Sequence, residues 1–132
     1  MKEIVDTRFL IEHFYSDEPD TKTKTSKKLR ELVRRGEGII PTLVLGEVVR
    51  ITCEKRGREE ANIRFLSLLR SGLQIEELTP KDAKEAGLLK CRYRAVPMGD
   101  CIVASLAITK GARVLSDDMH FDIIKEIKRT WI

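Results

Sequence analysis

Short β-prone apolar runs alternate with helix-period segments along the chain, and this alternation restricts the fold more than any other feature. Ile4-Val5, Ile39-Ile40, Leu73 to Leu78 and Ala112 to Ser116 read as strands. Between them, helices are predicted over Thr7–Tyr15 (Phe9, Leu10 and Phe14 at helical spacing) and over Ser26–Arg35 (Leu29, Leu32 and Val33 inward). Further helices are predicted over Thr42–Arg56, over Glu59–Ser71 with Ile63, Leu66 and Leu69 on one face, and over Gly99–Lys110. Thr79-Pro80-Lys81-Asp82 opens another, running to about Tyr93: a capping hydroxyl, a proline at the first helical position and an acid in the first turn. Strands joined by helices at this spacing predict an α/β domain with a mainly parallel sheet. The segment Ser16–Thr25 is polar, holds a proline and has no periodicity, so it reads as an exposed, mobile loop. In the tail, Asp122–Ile127 offers a helical turn and Arg129–Ile132 a last edge strand.

A chain of 132 residues with 42% hydrophobic content can bury one core and not two, so residues 1–132 form a single domain. The 35% charged fraction is mixed in sign, which argues against disorder. A net charge of +4 permits a polyanionic partner, although a solvated surface gives the same count. Cys53, Cys91 and Cys101 lack metal-ligand spacing, and Cys101 lies in an apolar helical run as a buried, reduced thiol. That usage fits the cytoplasm. Met1 to Asp6 has no apolar signal region and no stretch approaches 18 apolar residues, so a soluble chain without a membrane span is expected.

Asp6, Glu47, Asp100 and Asp118 carry the chemistry. Asp6 ends the first strand, and Asp118 follows the fourth. In a parallel sheet the functional crevice lies beyond the carboxyl ends of the strands, so these acids are placed to meet. Carboxylates brought together repel, and a divalent cation with oxygen ligands is the usual relief. Helix capping alone accounts for Asp6, Asp100 or Asp118 taken singly, because each precedes a helical stretch. Glu47 is different: it interrupts Leu43-Val44-Leu45-Gly46-Glu47-Val48-Val49, where a cap has no use. It is either held near a compensating charge or turned outward with Arg50 and Glu54. Thr7 and Ser116 add hydroxyls beside the acids, for metal-bound water, phosphate oxygens or local caps.

Four pieces in this order resemble the PIN-domain family, and most closely its VapC-type toxin ribonucleases. They are the strand-end Asp6-Thr7, Glu47 in the third helix, Gly99-Asp100 opening a small-residue helix, and Ser116-x-Asp118-x-x-Phe121. The resemblance covers nearly the whole chain and implies a three-layer α/β/α fold with four to five strands. It implies a metal-dependent endoribonuclease with Asp6, Glu47, Asp100 and Asp118 as catalytic acids. Asp6, Asp100 and Asp118 would hold one or two Mg²⁺ or Mn²⁺ ions. Thr7, Ser116 and Asp117 would support substrate or the acids, and Asp117 competes with Asp118 for the fourth acidic position; the spacing to Phe121 favours Asp118. No histidine is needed as the base, and His120 is left outside the site as an exposed turn residue.

The resemblance also implies an RNA substrate, a homodimer and an antitoxin protein laid over the active site. Ile11, Phe14, Leu29 and Val33 serve either as surface for such contacts or as core. Lys22, Lys24, Lys27, Lys28, Arg30, Arg34 and Arg35, with Lys90, Arg92 and Arg94, offer phosphate contacts or merely solvated helix faces. At 5% aromatic residues, extensive base stacking is excluded. Two other readings compete: a PIN-like module that binds RNA or protein without turnover, and a housekeeping RNA-processing nuclease. A receiver-type phosphoryl-transfer domain is disfavoured, because the lysine that should follow a strand is missing.

Overall fold

The structure, a computed structural model, describes residues 1–132. Five strands are present: β1 (Glu3–Val5), β2 (Gly38–Pro41), β3 (Gln74–Glu76), β4 (Arg113–Leu115) and β5 (Arg129–Thr130). They form one sheet in the order β3-β2-β1-β4-β5, with every pair parallel. Ile4 and Val5 at its centre are fully buried, as are Ile40, Val114 and Leu115 beside them, because a parallel sheet is covered on both faces.

Six helices do the covering: α1 (Thr7–Tyr15), α2 (Pro19–Arg35), α3 (Thr42–Arg56), α4 (Arg58–Leu69), α5 (Pro80–Arg92) and α6 (Met98–Lys110). They pack mainly as the pairs α1/α2, α3/α4 and α5/α6, giving a three-layer α/β/α domain. One core cluster of 19 buried residues runs through the sheet, with Phe9, Leu10, Val44, Val48, Leu106 and Phe121 among its members. Cys101 is buried in a second, smaller cluster with Leu89, Val96, Ala104 and Ile124. No helix is long and apolar enough to cross a membrane.

The segment Ser16–Thr25 departs from expectation. Helix α2 begins inside it, at Pro19, and only the short link before that residue is irregular. Pro19 fits the first turn and Asp20 adds a first-turn acid; Asp20 also pairs with Lys24 one turn on, at 3.3 Å. The apolar period is missing because this part of the helix touches the body through Thr25, whose hydroxyl lies 3.0 Å from His13 Nδ1 and donates to the Lys22 carbonyl. On α4 the Ile63, Leu66 and Leu69 face points outward, with those residues 54%, 47% and 43% exposed. The inward stripe is instead Ala61 and Leu68, with Phe65 partly buried. The helix is apolar on two faces, so spacing alone does not decide which one packs. The tail turn is a 3₁₀ helix over Met119–Ile123, slightly earlier than Asp122–Ile127, and β5 is an edge strand as expected.

At the amino end of the sheet Glu3 is buried, with Lys28 Nζ of α2 at 2.6 Å and Arg113 at 4.0 Å from Oε2. Removing one partner of a buried pair leaves an uncompensated charge, whereas removing both does not. Lys28→Met is therefore expected to lower unfolding free energy by about 3 kcal/mol, and Glu3→Met/Lys28→Met to recover most of that loss. Urea unfolding of the three proteins checks it.

Candidate metal centre

Strand β1 pairs with β2 on one side and β4 on the other, so the chain order reverses beside it and a crevice opens past the carboxyl ends of β1 and β4. Asp6 and Ser116 are the residues that leave those two strands. The Asp6 amide donates to the Leu115 carbonyl at 3.2 Å, extending the strand pairing, and the Ser116 hydroxyl donates to Asp6 Oδ2 at 2.7 Å. Ser116 Oγ in turn accepts from the Asp118 amide at 3.0 Å. One buried hydroxyl thus ties both strand ends together.

Asp6 occupies the residue before α1, yet its side chain makes no capping hydrogen bond. Burial pushes its carboxyl up to about 6, against the lowering influence of Ser116 and the Thr7 and Arg8 amides, with Glu47 adding to the rise. Glu47 makes no ion pair with Arg50, which pairs instead with Glu54 at 3.0 Å. It is half-buried and accepts from the Thr7 hydroxyl at 2.8 Å, which links α3 to the first turn of α1. Glu47 Oε2 also lies beside Gly99, at the start of α6.

Asp100 sits within the first turn of α6. Its Oδ2 atom is buried without any hydrogen-bond partner. Burial, the adjoining Asp118 carboxylate, and Asp6 and Glu47 beyond it push Asp100 up to about 7. Asp118 moves the other way. Burial opposes its ionisation, but the His120 amide, the Asp100 carboxyl and the His120 ring together hold it below the usual carboxylate range. The Asp118 side chain caps the 3₁₀ turn through the His120 amide at 2.9 Å. Two adjacent acids thus have their pKa values driven apart, because like charges held close resist ionising together.

Of the seven residues singled out from the sequence, six border this crevice and Asp117 does not; only Asp100 and Asp118 among them fall in the set of ligand atoms that lie within 4.8 Å of one another. Asp100 and Asp118 present oxygens to each other, Asp6 is tied to Ser116 and Glu47 to Thr7. Asp117 turns away and takes a short ion pair from Arg8 of α1, so Asp118 is the member of that pair inside the crevice. His120, left outside the site on sequence grounds, belongs to it: its Nδ1 lies 2.9 Å from Asp118 Oδ1 and 3.8 Å from Asp100 Oδ2. Asp100, Asp118 and His120 each offer a ligand atom within 4.8 Å of the others. Exposed turn histidines are common, so the one usable signal was its position two residues after the strand-end acid.

The donor set fits a divalent cation. Clustered carboxylate oxygens suit Mg²⁺ or Mn²⁺. The unpartnered Asp100 Oδ2 has an acceptor lone pair and no donor, which a cation would satisfy. Beside the centre, a cleft of about 350 Å³ opens between α1 and α3, lined by Thr7, Arg8, Ile11, Arg50, Lys55 and Asp117 among others. Elsewhere the basic residues are partly engaged: Lys28 with Glu3, Lys24 with Asp20 and Arg92 with Glu126.

The family model of the PIN domain matches residues 4–127. No curated protein matches. Among solved structures, VapBC2 from Rickettsia felis, bound to a promoter DNA fragment, superposes with a TM-score of 0.79 at 18% identity, covering 100% of this chain and 99% of that one. DNA-bound VapBC from Salmonella typhimurium gives 0.76 at 15% identity, covering 99% and 98%. VapC20 from Mycobacterium tuberculosis, a sarcin-ricin loop cleaving toxin, gives 0.75 at 16% identity, covering 94% and 95%. At these identities the likeness is one of fold; the match to the family model, over nearly the whole length, makes this chain a member of the PIN-domain family.

Proposed function

We propose that this protein is a divalent-metal-dependent endoribonuclease and the toxin of a toxin–antitoxin pair in the cytoplasm. The observation that carries the reading is the crowding of Asp100 and Asp118, with Asp6 and Glu47 close behind, at the strand ends with one buried acidic oxygen unpartnered. Mg²⁺ or Mn²⁺ bound there supplies Lewis-acid stabilisation of a phosphodiester and a water made acidic at neutral pH. Asp100 and Asp118, with Asp6, hold the ion. Ser116 fixes the Asp6 carboxylate and Thr7 fixes that of Glu47, so both are oriented before substrate arrives. Glu47, held by the Thr7 hydroxyl, would take a proton from an attacking water. Lys55, in the cleft between α1 and α3, offers a cationic seat for a flanking phosphate.

Similar folds solved as toxin–antitoxin complexes support a protein partner. A groove of about 360 Å³ between α2 and α4, floored by Phe14, Leu29, Leu68 and Leu73 and rimmed by Arg30 and Arg34, fits an amphipathic helix with acidic flanks. A homodimer remains part of this proposal.

Cleavage of a labelled structured RNA by antitoxin-free protein tests the reading. Asp100→Asn is expected to lower the rate at least about a hundredfold, close to 3 kcal/mol of transition-state stabilisation, and EDTA to abolish cutting. Tight RNA binding without turnover across a panel of RNAs would instead support the non-catalytic module.

Stability should respond to pH and metal together. In EDTA the folded protein binds protons at Asp6 and Asp100 more firmly than the unfolded chain does, since their pKa values rise to about 6 and about 7. Metal-free stability therefore falls as pH rises from about 4 to about 7 and levels off above that range. Asp118, shifted the other way, contributes fully throughout this window. Added Mg²⁺ or Mn²⁺ should raise the melting temperature more at pH 8 than at pH 5, and metal-free Asp100→Asn should melt a few degrees above wild type at pH 8. Thermal melts with and without metal across this range check both; a metal-induced gain independent of pH would contradict them.

A further inference from the structure

We propose that His120 is a nitrogen ligand of the metal centre, and that it biases the site toward Mn²⁺ over Mg²⁺. The proposal rests on the metal-centre reading above and adds to it a residue and a selectivity. His120 lies in the 3₁₀ turn Met119–Ile123, whose next residue, Phe121, is fully buried in the main core, while Ile124 just beyond is buried in the second cluster. The turn is pinned at two points, so its exposed members, Met119 and His120, have a fixed backbone beneath them.

The imidazole contact is not needed for capping. Asp118 Oδ1 already accepts from the His120 amide at 2.9 Å, which closes the turn. The ring nevertheless folds back, and Nδ1 also reaches Asp118 Oδ1 at 2.9 Å. That placement brings Nδ1 to 3.8 Å from Asp100 Oδ2, the buried oxygen that has no partner.

Donor spacing agrees with shared coordination. Adjacent ligands on an octahedral ion with bonds of about 2.1 Å stand about 3.0 Å apart, and opposite ligands about 4.2 Å. The separation of Nδ1 from Asp118 oxygen matches the first value, as a hydrogen bond also does, and the 3.8 Å to Asp100 oxygen has to close by about 0.8 Å for the two to stand adjacent on one ion. Nδ1 and Asp118 Oδ1 stand at hydrogen-bond distance, and a cation held between them would also come within reach of Asp100 Oδ2.

Selectivity follows from the donor type. Mg²⁺ favours an all-oxygen shell rich in water, whereas first-row transition ions accept imidazole nitrogen readily. A site of carboxylates plus one imidazole therefore loses little by holding Mg²⁺ through oxygens alone, and gains by holding Mn²⁺ through oxygen and nitrogen.

The test is pulsed electron paramagnetic resonance on the full-length, Mn²⁺-loaded protein, with metal affinities from calorimetry. Wild type is expected to show nitrogen hyperfine modulation on Mn²⁺ that disappears in His120→Gln. Labelling histidine with the heavier nitrogen isotope should shift the same modulation in wild type without any substitution. The assignment is clean, because the one other histidine, His13, sits against Thr25 between α1 and α2. His120→Gln is expected to weaken Mn²⁺ binding about tenfold and to leave Mg²⁺ binding within about twofold. Mn²⁺ bound by wild type with no nitrogen modulation, or with unchanged affinity in the variant, would overturn the role of His120 while leaving the metal centre standing. No Mn²⁺ binding by wild type would bring down the metal centre and this proposal together.

Discussion

Repulsion between carboxylates at the carboxyl edge of the sheet is the constraint around which this protein is arranged. Burial and the proximity of Asp118 drive Asp100 up to about 7, and burial lifts Asp6 to about 6. Acids so far above their ordinary range destabilise the metal-free fold at neutral pH. A parallel sheet with β1 at its centre makes the crowding unavoidable, since residues leaving β1 and β4 must emerge side by side. What the domain provides is a frame stiff enough to hold the acids together despite it.

That frame is built from hydroxyls and apolar anchors. Ser116, wholly buried, binds Asp6 and the Asp118 amide at once, so the two strand ends cannot splay without losing both contacts. Thr7 holds Glu47 across from α1 to α3. Phe121 and Ile124 fasten the turn that carries Asp118 and His120. None of these residues neutralises a charge. They restrict where the charges go, and so leave the crowding to be relieved by a proton or a cation.

The larger part of the fold was legible because it rests on local signals. Short apolar runs and the Thr79-Pro80 helix start are signals of neighbouring residues, and the elements appear where those residues place them. The failures are physical. The start of α2 carries almost no apolar stripe, because a single buried threonine suffices to seat it, and so hydrophobic period had nothing to detect. Helix α4 has two apolar faces, and only tertiary packing selects Ala61 and Leu68 over Ile63 and Leu66. Asp6, Asp100 and Asp118 are legible because each ends or opens an element, and Glu47 because it interrupts an apolar run; that Asp117 faces Arg8 while Asp118 faces Asp100 depends on the backbone path after Ser116. His120 was passed over since its place in the crevice is fixed by the 3₁₀ turn, which no local pattern announces.

The two ends of the sheet hold the clearest evidence that the crowding belongs to function. Glu3, at the amino end of β1, is as buried as any acid in the molecule, and the chain brings Lys28 and Arg113 to it. A buried carboxylate that serves only the fold is satisfied from within the chain, by cations as at Glu3 or by hydroxyls as at Asp82, which accepts from Thr79 and Thr109. Asp100 and Asp118, at the carboxyl end, pair with no lysine or arginine: Arg8 is committed to Asp117 and Arg129 to Asp122. The same strand thus carries a compensated acid before it and an uncompensated one, Asp6, after it. A chain able to neutralise Glu3 with two side chains has left its other edge open to a cation from outside.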